Sequence, residues 1–360
     1  MRPIHYLGVF IPAAVALELA HASPVLVFSA AALAVIPCAA IMGEATEAIA
    51  AKTGPGIGGL LNVTFGNAPE LIIAFFALSK GLQEVVKASI VGSIIGNILL
   101  VMGAAMLVGG WNRDKQTFNH TAANAQAAML MLALAALILP AVFQLIHGGG
   151  LPAIGEDRVD FGSDLETISL GVALILLATY VAGLIFSLKT HRAVFNPYSE
   201  HQEEEEHHWP VKRAVAFLAG SAVFVGLMSE ILVGSISEAS HDIGLSEFFV
   251  GVFVVAIVGN AAEHWVAVLV AAKNKMDLAV NIAIGSSAQI ALFVAPLLVL
   301  LSFVVGPEPM ALVFNGYELG GLVFAVLIAS LVTAEGESNW FEGVQLLALY
   351  AVLGLVFYFA

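Results

Sequence analysis

The chain has 360 residues, 60% of them hydrophobic and only 11% charged, with 13 Lys+Arg against 27 Asp+Glu and a formal net charge of −14. Soluble domains carry about 25% charged residues, so this composition excludes a soluble enzyme, a disordered chain and, by its negative balance, a nucleic-acid binder. A polytopic membrane protein remains, and its one cysteine, Cys38, excludes an intramolecular disulfide and CxxC redox chemistry.

Crossing a hydrocarbon core about 30 Å thick takes about 20 apolar residues. Such stretches run near 4–20, 24–50, 60–79, 84–109, 121–147, 164–188, 212–236, 246–271, 277–304, 311–333 and 341–359, eleven candidates in all. They are continuous and long, not alternating over about ten residues as barrel strands do, so the expected fold is all-α. The first stretch, with Arg2 before it and Ala20-His21-Ala22 after it, has the outline of a cleavable signal peptide. Glu18 inside the run and the numbering from Met1 favour its retention as a first transmembrane helix, residues 1–22.

Basic residues set the expected orientation. With the N-terminus cytoplasmic, alternation puts Arg2, Lys52, Arg113, Lys115, Lys189, Arg192, Lys212, Arg213, Lys273 and Lys275 inside and only Lys80, Lys87 and Arg158 outside. The C-terminus is then expected outside.

The chain repeats itself at a fixed offset. Gly66-Asn67-Ala68-Pro69-Glu70 recurs as Gly259-Asn260-Ala261-Ala262-Glu263, 193 residues later. At the same offset Lys80 meets Lys273, Glu84 meets Asp277, Gly92-Ser93 meets Gly285-Ser286, and Leu99 and Val101 meet Leu292 and Val294. The copies lie five spans apart, an odd number, so equivalent residues enter the membrane from opposite sides. This predicts two inverted five-helix repeats, residues 23–190 (spans two to six) and 212–360 (spans seven to eleven), joined by a cytoplasmic acidic linker at 191–211.

An ionisable residue inside a span costs at least about 2.5 kcal/mol and is a functional hypothesis by default. Glu70 and Glu263 each follow an Asn by three residues, which places Asn67 and Asn260 on the same helical faces as their acids. Each acid also follows a glycine, and Glu70 a proline, so a helix break is expected at both motifs, freeing backbone carbonyls to line a cavity or coordinate an ion. Ca²⁺ takes six to eight oxygens from carboxylates, amides, carbonyls and water, and this is the donor set on offer. There is no Cys or His cluster, no HExxH and no GxSxG, which argues against zinc chemistry and an intramembrane hydrolase. Two carboxylates balance one dication. Without it, two like charges at low dielectric repel and protons bind instead. Such a site has the chemistry of an antiporter. The plainer alternative, pairing with basic groups, finds no Lys or Arg well inside a span, while Asn67 and Asn260 as interhelical glue stays open.

GNAPELI followed by GSIIGN, and GNAAEH followed by NKMDLAVNIAIGSSAQIALFVAPLLVL, resemble the two repeats of the cation/proton exchangers of the Ca²⁺/cation antiporter superfamily. The resemblance covers roughly residues 40–335. It implies exchange of cytoplasmic Ca²⁺ for H⁺ by alternating access, with Glu70 and Glu263 as central metal ligands and Asn67, Asn260, Ser93, Ser286 and Gln289 lining the site. Sodium-coupled relatives carry GTSxPE-like motifs, so GNAPE and GNAAE point to protons. Gln289 has Gly96 at its repeat position, so the two halves are not equivalent.

Several features have both a functional and a plain reading. Glu44, Glu47 and Glu230 lie late in spans two and seven, which in the family slide as gates; they relay ions or sit at solvated helix ends, and Glu238 is read as solvated. Gly92 and Gly96 form a GxxxG pair read as a site of close helix approach. His264 either bonds a neighbouring helix or shuttles protons. The acidic linker with Glu203, Glu204, Glu205 and Glu206 is read as a solvated loop, although it resembles the family's acidic helix, where sensing of Ca²⁺ or pH would take place. Beyond Ca²⁺, H⁺ and the lipid bilayer no partner or cofactor is implied. The length suggests a prokaryotic plasma membrane. A sodium-coupled exchanger and, from another class, a cation channel are the competing functions.

Overall fold

The computed structural model describes residues 3–148, 150–154, 163–190 and 209–360. Arg2, Arg158, Arg192 and the acidic run Glu203 to Glu206 lie outside them. The fold is all-helical and membrane-embedded. Among the described residues nine helices are long and apolar enough to cross a membrane, with shorter apolar helices at Ile4–Leu19 and Ala68–Ser79. The chain forms two compact units, each drawn from both halves of the sequence: residues 1–76, 179–244 and 258–262, and residues 77–178, 245–257 and 263–360.

In the first unit a short 3₁₀ stretch, Pro3–Val9, leads into α1, Phe10–Leu19, and then into α2, Pro24–Gly66. Straight, the 43 residues of α2 would reach about 65 Å, twice a hydrocarbon core. The helix is not straight. A methyl group on Gly58 would land on the carbonyl of Ala50, although eight residues of straight helix span about 12 Å. Cys38 and Met42 share a buried cluster with Phe65, Ala68 and Ile72, and Ala48 and Ile49 share a second with Leu61. Residues on the two sides of Pro55 thus pack together. The chain therefore turns back on itself between Ala50 and Gly58, within α2, and so joins the two spans expected at 24–50 and 60–79. Proline and flanking glycines are the residues at which helices bend.

Both arms of α2 pack against α8, Val211–Ile243, through Ala214, Leu218, Ala222 and Val225. Between helices in lipid the association comes from close packing of small residues, since lipid tails are as apolar as the side chains. The face of α2 supplies them: Ala31, Ala34, Val35, Cys38, Ala45 and Ala48 are at most 2% exposed. Arg213 stacks over Trp209 and Phe217, 5.1 and 5.4 Å from their centroids, which anchors the start of α8.

After Asn67 the chain enters α3, Ala68–Ser79. The second unit holds the remaining helices that matter for function: α4, Gln83–Ile95, continuing through a π-helical stretch, Gly96–Val101, into α5, Met102–Gly110; α6, His120–Ile146; and α7, Ser163–Ile185, whose end belongs to the first unit. A second π-stretch, Val250–Val255, leads into α9, Ala256–Ala272, of which residues 258–262 belong to the first unit. Then follow α10, Met276–Gln289, a third π-stretch, Ile290–Val294, and α11, Ala295–Ser302. The last two long helices are α12, Gly316–Thr333, and α13, Trp340–Tyr358. The π-stretches after α4 and α10 fall at nearly the same repeat position and just follow Ser93 and Ser286. A π-turn is rare and marks functional positions in helices.

Gly92 packs on the backbone of Val252 so closely that a Cβ would overlap its carbonyl, as the GxxxG reading expects. Gly96 does not share that role: a Cβ there meets nothing within 4 Å, so the close approach rests on one glycine of the pair. Polar linkers fix the helix ends. Gln116 donates to the Ala271 carbonyl at 3.1 Å and to Asn274 Oδ1 at 3.0 Å, and Arg113 donates to the carbonyls of Gly109 and Ala272. Gln116–Thr117 pairs antiparallel with Glu337–Ser338, the only ladder among the described residues. Asn315 with Glu318, and Asn339 with Glu342, form capping boxes at the starts of α12 and α13.

Candidate functional site

The first motif copy sits where a helix ends and another begins. Gly66 closes α2, Asn67 leaves the helix at φ −97° and ψ 16°, and Ala68 opens α3. Pro69 explains the break: with no N–H it cannot bond the Phe65 carbonyl four residues back, and its ring crowds that carbonyl, whereas in the first turn of a new helix it is tolerated. Glu70 thereby falls in the first turn of α3, where unsatisfied N–H groups and the helix dipole favour a carboxylate. Both its carboxylate oxygens are buried, and Asn67 is 1% exposed. Gly259, in the same unit, makes room for it: a Cβ on Gly259 would lie 3.1 Å from Glu70 Cγ.

The second copy is built differently. A break was expected here too, but α9 runs unbroken from Ala256 to Ala272 through Asn260 and Glu263. Ala262 stands where the first copy has Pro69, so nothing forbids the helix. Glu263 lies in mid-helix, without the help of a helix end. Its support is a hydroxyl: Ser286 on α10 donates to Glu263 Oε2 at 2.7 Å, a bond that becomes charge-assisted, and stronger, when the carboxylate is ionised. Asn260 is 1% exposed and Ser286 7%.

Of the other residues singled out, Ser93 is buried in α4 and Gln289 half-buried at the end of α10, four residues after Gly285 on one helical face. His264 takes the first of its two readings: its Nε2 is 3.0 Å from Oδ1 of Asn97, which lies in the π-stretch after α4. Glu44 is half-buried, 3.5 Å from Nε2 of His5, while Glu47, Glu230 and Glu238 are exposed.

Two groups escaped the reading of the sequence. Lys87, assigned to the outer surface, is half-buried in the second turn of α4, donates to the Val313 carbonyl at 3.0 Å, and has Glu318 and Glu84 as charged neighbours. Glu318, 2% exposed, accepts from the Asn315 backbone at 2.7 Å. The Asn-x-x-Glu cap spacing was its only signal. The other is Gln126 of α6, whose amide lies against Gly285. No periodicity distinguishes it from other polar residues near a helix start.

Residues 23–189 and 213–359 match the family described as sodium/calcium exchanger protein. The Ca(2+)/H(+) antiporter of Aphanothece halophytica is 44% identical over 363 residues, covering 97% of this chain and 94% of that protein. The Ca(2+)/H(+) antiporter ChaA of Bacillus subtilis is 43% identical, covering 97% and 96%. Among solved structures, the Ca2+/H+ antiporter YfkE superposes with a TM-score of 0.83 at 38% identity over 100% of both chains. The H+/Ca2+ exchanger CAX shares the fold at 14% identity, with a TM-score of 0.71 over 99% of this chain and 91% of that one. The chain is thus a membrane transporter that belongs to the sodium/calcium exchanger protein family, on its cation/proton exchanger branch.

Proposed function

We propose that the protein exchanges Ca²⁺, or a similar divalent cation, for H⁺ by alternating access, with Glu70 and Glu263 as the carboxylates that hold either a dication or protons. One observation carries the reading: the two acids occupy the same position of a motif repeated at an offset of 193, each three residues after an Asn that is 1% exposed. The packing of Glu70 on Gly259 supports it, since Gly259 precedes Glu263 by one helical turn on α9. Asn67, Asn260, Ser93, Ser286 and Gln289 add neutral oxygens of the kind Ca²⁺ prefers. Proton coupling is supported by the names of the relatives that are 43–44% identical over nearly the whole chain. The solved sodium-calcium exchanger resembles the chain in fold alone, at 19% identity and a TM-score of 0.51.

In this reading residues 23–190 and 212–360 are inverted repeats, the N-terminus is cytoplasmic, the C-terminus lies outside in a prokaryotic plasma membrane, and Ca²⁺ leaves the cytoplasm. The helices α2 and α8 act as the gate, with Glu44, Glu47 and Glu230 as accessory acids along it. The linker acids Glu203 to Glu206 are not needed for transport. The test is ⁴⁵Ca uptake into vesicles holding the purified protein. A pH gradient alone should drive accumulation. Uptake that follows a sodium gradient and ignores pH would make the protein a sodium-coupled exchanger, and unitary currents would make it a channel.

A further inference from the structure

The half of the site around Glu263 contains more than the motif supplies. Gly285 stands next to Ser286, the residue that donates to Glu263, and one turn before Gln289. The space its missing side chain leaves is bordered by Gln126. A Cβ on Gly285 would lie 3.6 Å from Nε2, 3.8 Å from Oε1 and 3.9 Å from Cδ of Gln126, so it would fit and would touch the Gln126 amide. Oε1 of Gln126 is buried, with no hydrogen-bond partner among the described residues. A buried amide oxygen without a partner is destabilising, so a native structure that keeps one does so for a reason.

The repeat sharpens the contrast. Gly92, the equivalent of Gly285, is filled by the backbone of Val252, and Gly96, the equivalent of Gln289, has open space. Side-chain amides therefore flank α10 and have no counterparts at these positions of α4. The carbonyl oxygen of Gln126, near the helix that carries Ser286 and Gln289, is a neutral hard donor, and Ca²⁺ draws on such donors to reach six to eight oxygens, more than the six of Mg²⁺ or Mn²⁺.

Resting on the site proposed above, we infer that Gln126 is a specificity-determining oxygen donor on the Glu263 side: its Oε1 joins the shell of the bound cation, directly or through one water, and favours the larger, more highly coordinated Ca²⁺ over Mn²⁺ and Mg²⁺. The amide keeps the site's net charge unchanged, so it tunes ion choice without changing the number of protons exchanged.

The test uses full-length protein in proteoliposomes under an imposed pH gradient, with ⁴⁵Ca uptake titrated against Ca²⁺ and competed with Mn²⁺. Thermal stabilisation by Ca²⁺ in detergent gives a second readout, independent of transport. Gln126→Leu should raise the KM for Ca²⁺ about three- to tenfold, raise that for Mn²⁺ less, and shrink the Ca²⁺-induced stabilisation. Gln126→Glu, of the same shape, guards against a folding defect in the leucine variant; it should strengthen Ca²⁺ binding at high pH and make uptake more sensitive to acid. Unchanged Ca²⁺ affinity and Mn²⁺ competition in both variants, with Glu263→Gln still abolishing Ca²⁺ stabilisation, would overturn the role of Gln126 and leave the two-carboxylate site standing. Full Ca²⁺ stabilisation in Glu263→Gln would overturn both.

Discussion

Gly259 leaves the space that the side chain of Glu70 fills, so the glycine of one motif copy serves the acid of the other. A Cβ at Gly259 would come within 3.1 Å of Glu70 Cγ, closer than side chains ordinarily tolerate, and Glu70 would have to shift by a few tenths of an ångström. Gly259→Ala should therefore lower Ca²⁺ transport severalfold through a raised KM while the protein still purifies as a folded species. Wild-type kinetics in this variant would mean that the contact has no bearing on ion binding.

Replacing either acid tests the pair directly. Glu70→Gln and Glu263→Gln keep shape and remove one charge each, and a single carboxylate does not balance a dication. Each should abolish divalent exchange with expression and gel-filtration profile preserved. Transport near wild type by either variant removes that residue from the mechanism.

Pro69→Ala converts the first motif to the form of the second. The helix should then run through Asn67 as it does through Asn260, and Glu70 would lose its place at a helix end, which contributes up to about 2 kcal/mol in favourable geometry. Apparent Ca²⁺ affinity should fall about two- to tenfold in gradient-driven uptake, with circular dichroism reporting unchanged or slightly higher helix content.

Ser286→Ala removes the hydroxyl that favours the ionised form of Glu263. A hydrogen bond to a charged group contributes about 1.5–3 kcal/mol, so Ca²⁺ affinity should fall roughly tenfold or more. The sign follows from competition: with ionised Glu263 less favoured, protons displace Ca²⁺ more readily and the defect should be greatest at low pH. In the wild type the same competition means that Ca²⁺ added to solubilised protein in weak buffer expels protons. A defect independent of pH, or no proton release, contradicts a shared site.

The two glycines of the GxxxG pair should separate in stability. Gly92→Ala drives a methyl group into the Val252 carbonyl and should cost about 1–3 kcal/mol, the range for overpacking. Gly96→Ala enters open space and should be neutral or stabilising by up to about 1 kcal/mol. Melting temperatures in detergent compare the two.

Much of this molecule was legible in its sequence because its strongest constraints are local. Twenty apolar residues announce a helix in lipid, and an acid among them is a functional candidate, so Glu70 and Glu263 stand out in the sequence. The break at Asn67 follows from Pro69 alone. The break expected at Asn260 does not occur, because glycine and asparagine permit an interruption without imposing one. The two spans expected at 24–50 and 60–79 gave no sign that one helix runs between them, since composition does not reveal whether a turn keeps its helical hydrogen bonds. Lys87 and Gln126 were missed for a different reason: whether a polar side chain near a helix end meets water or a buried partner depends on a distant segment, Val313 for one and Gly285 for the other.

The two carboxylates, equal in sequence, are anchored by unequal means, one by the start of a helix and the other by a hydroxyl in the middle of one. A tandem chain assembled from two copies of the first half would keep both acids, but it would present Gly96 twice where the natural chain presents a glycine and the Gln289 amide. In the site proposed here the two motif copies therefore cannot trade places, because the second brings the Gln289 amide where the first brings Gly96.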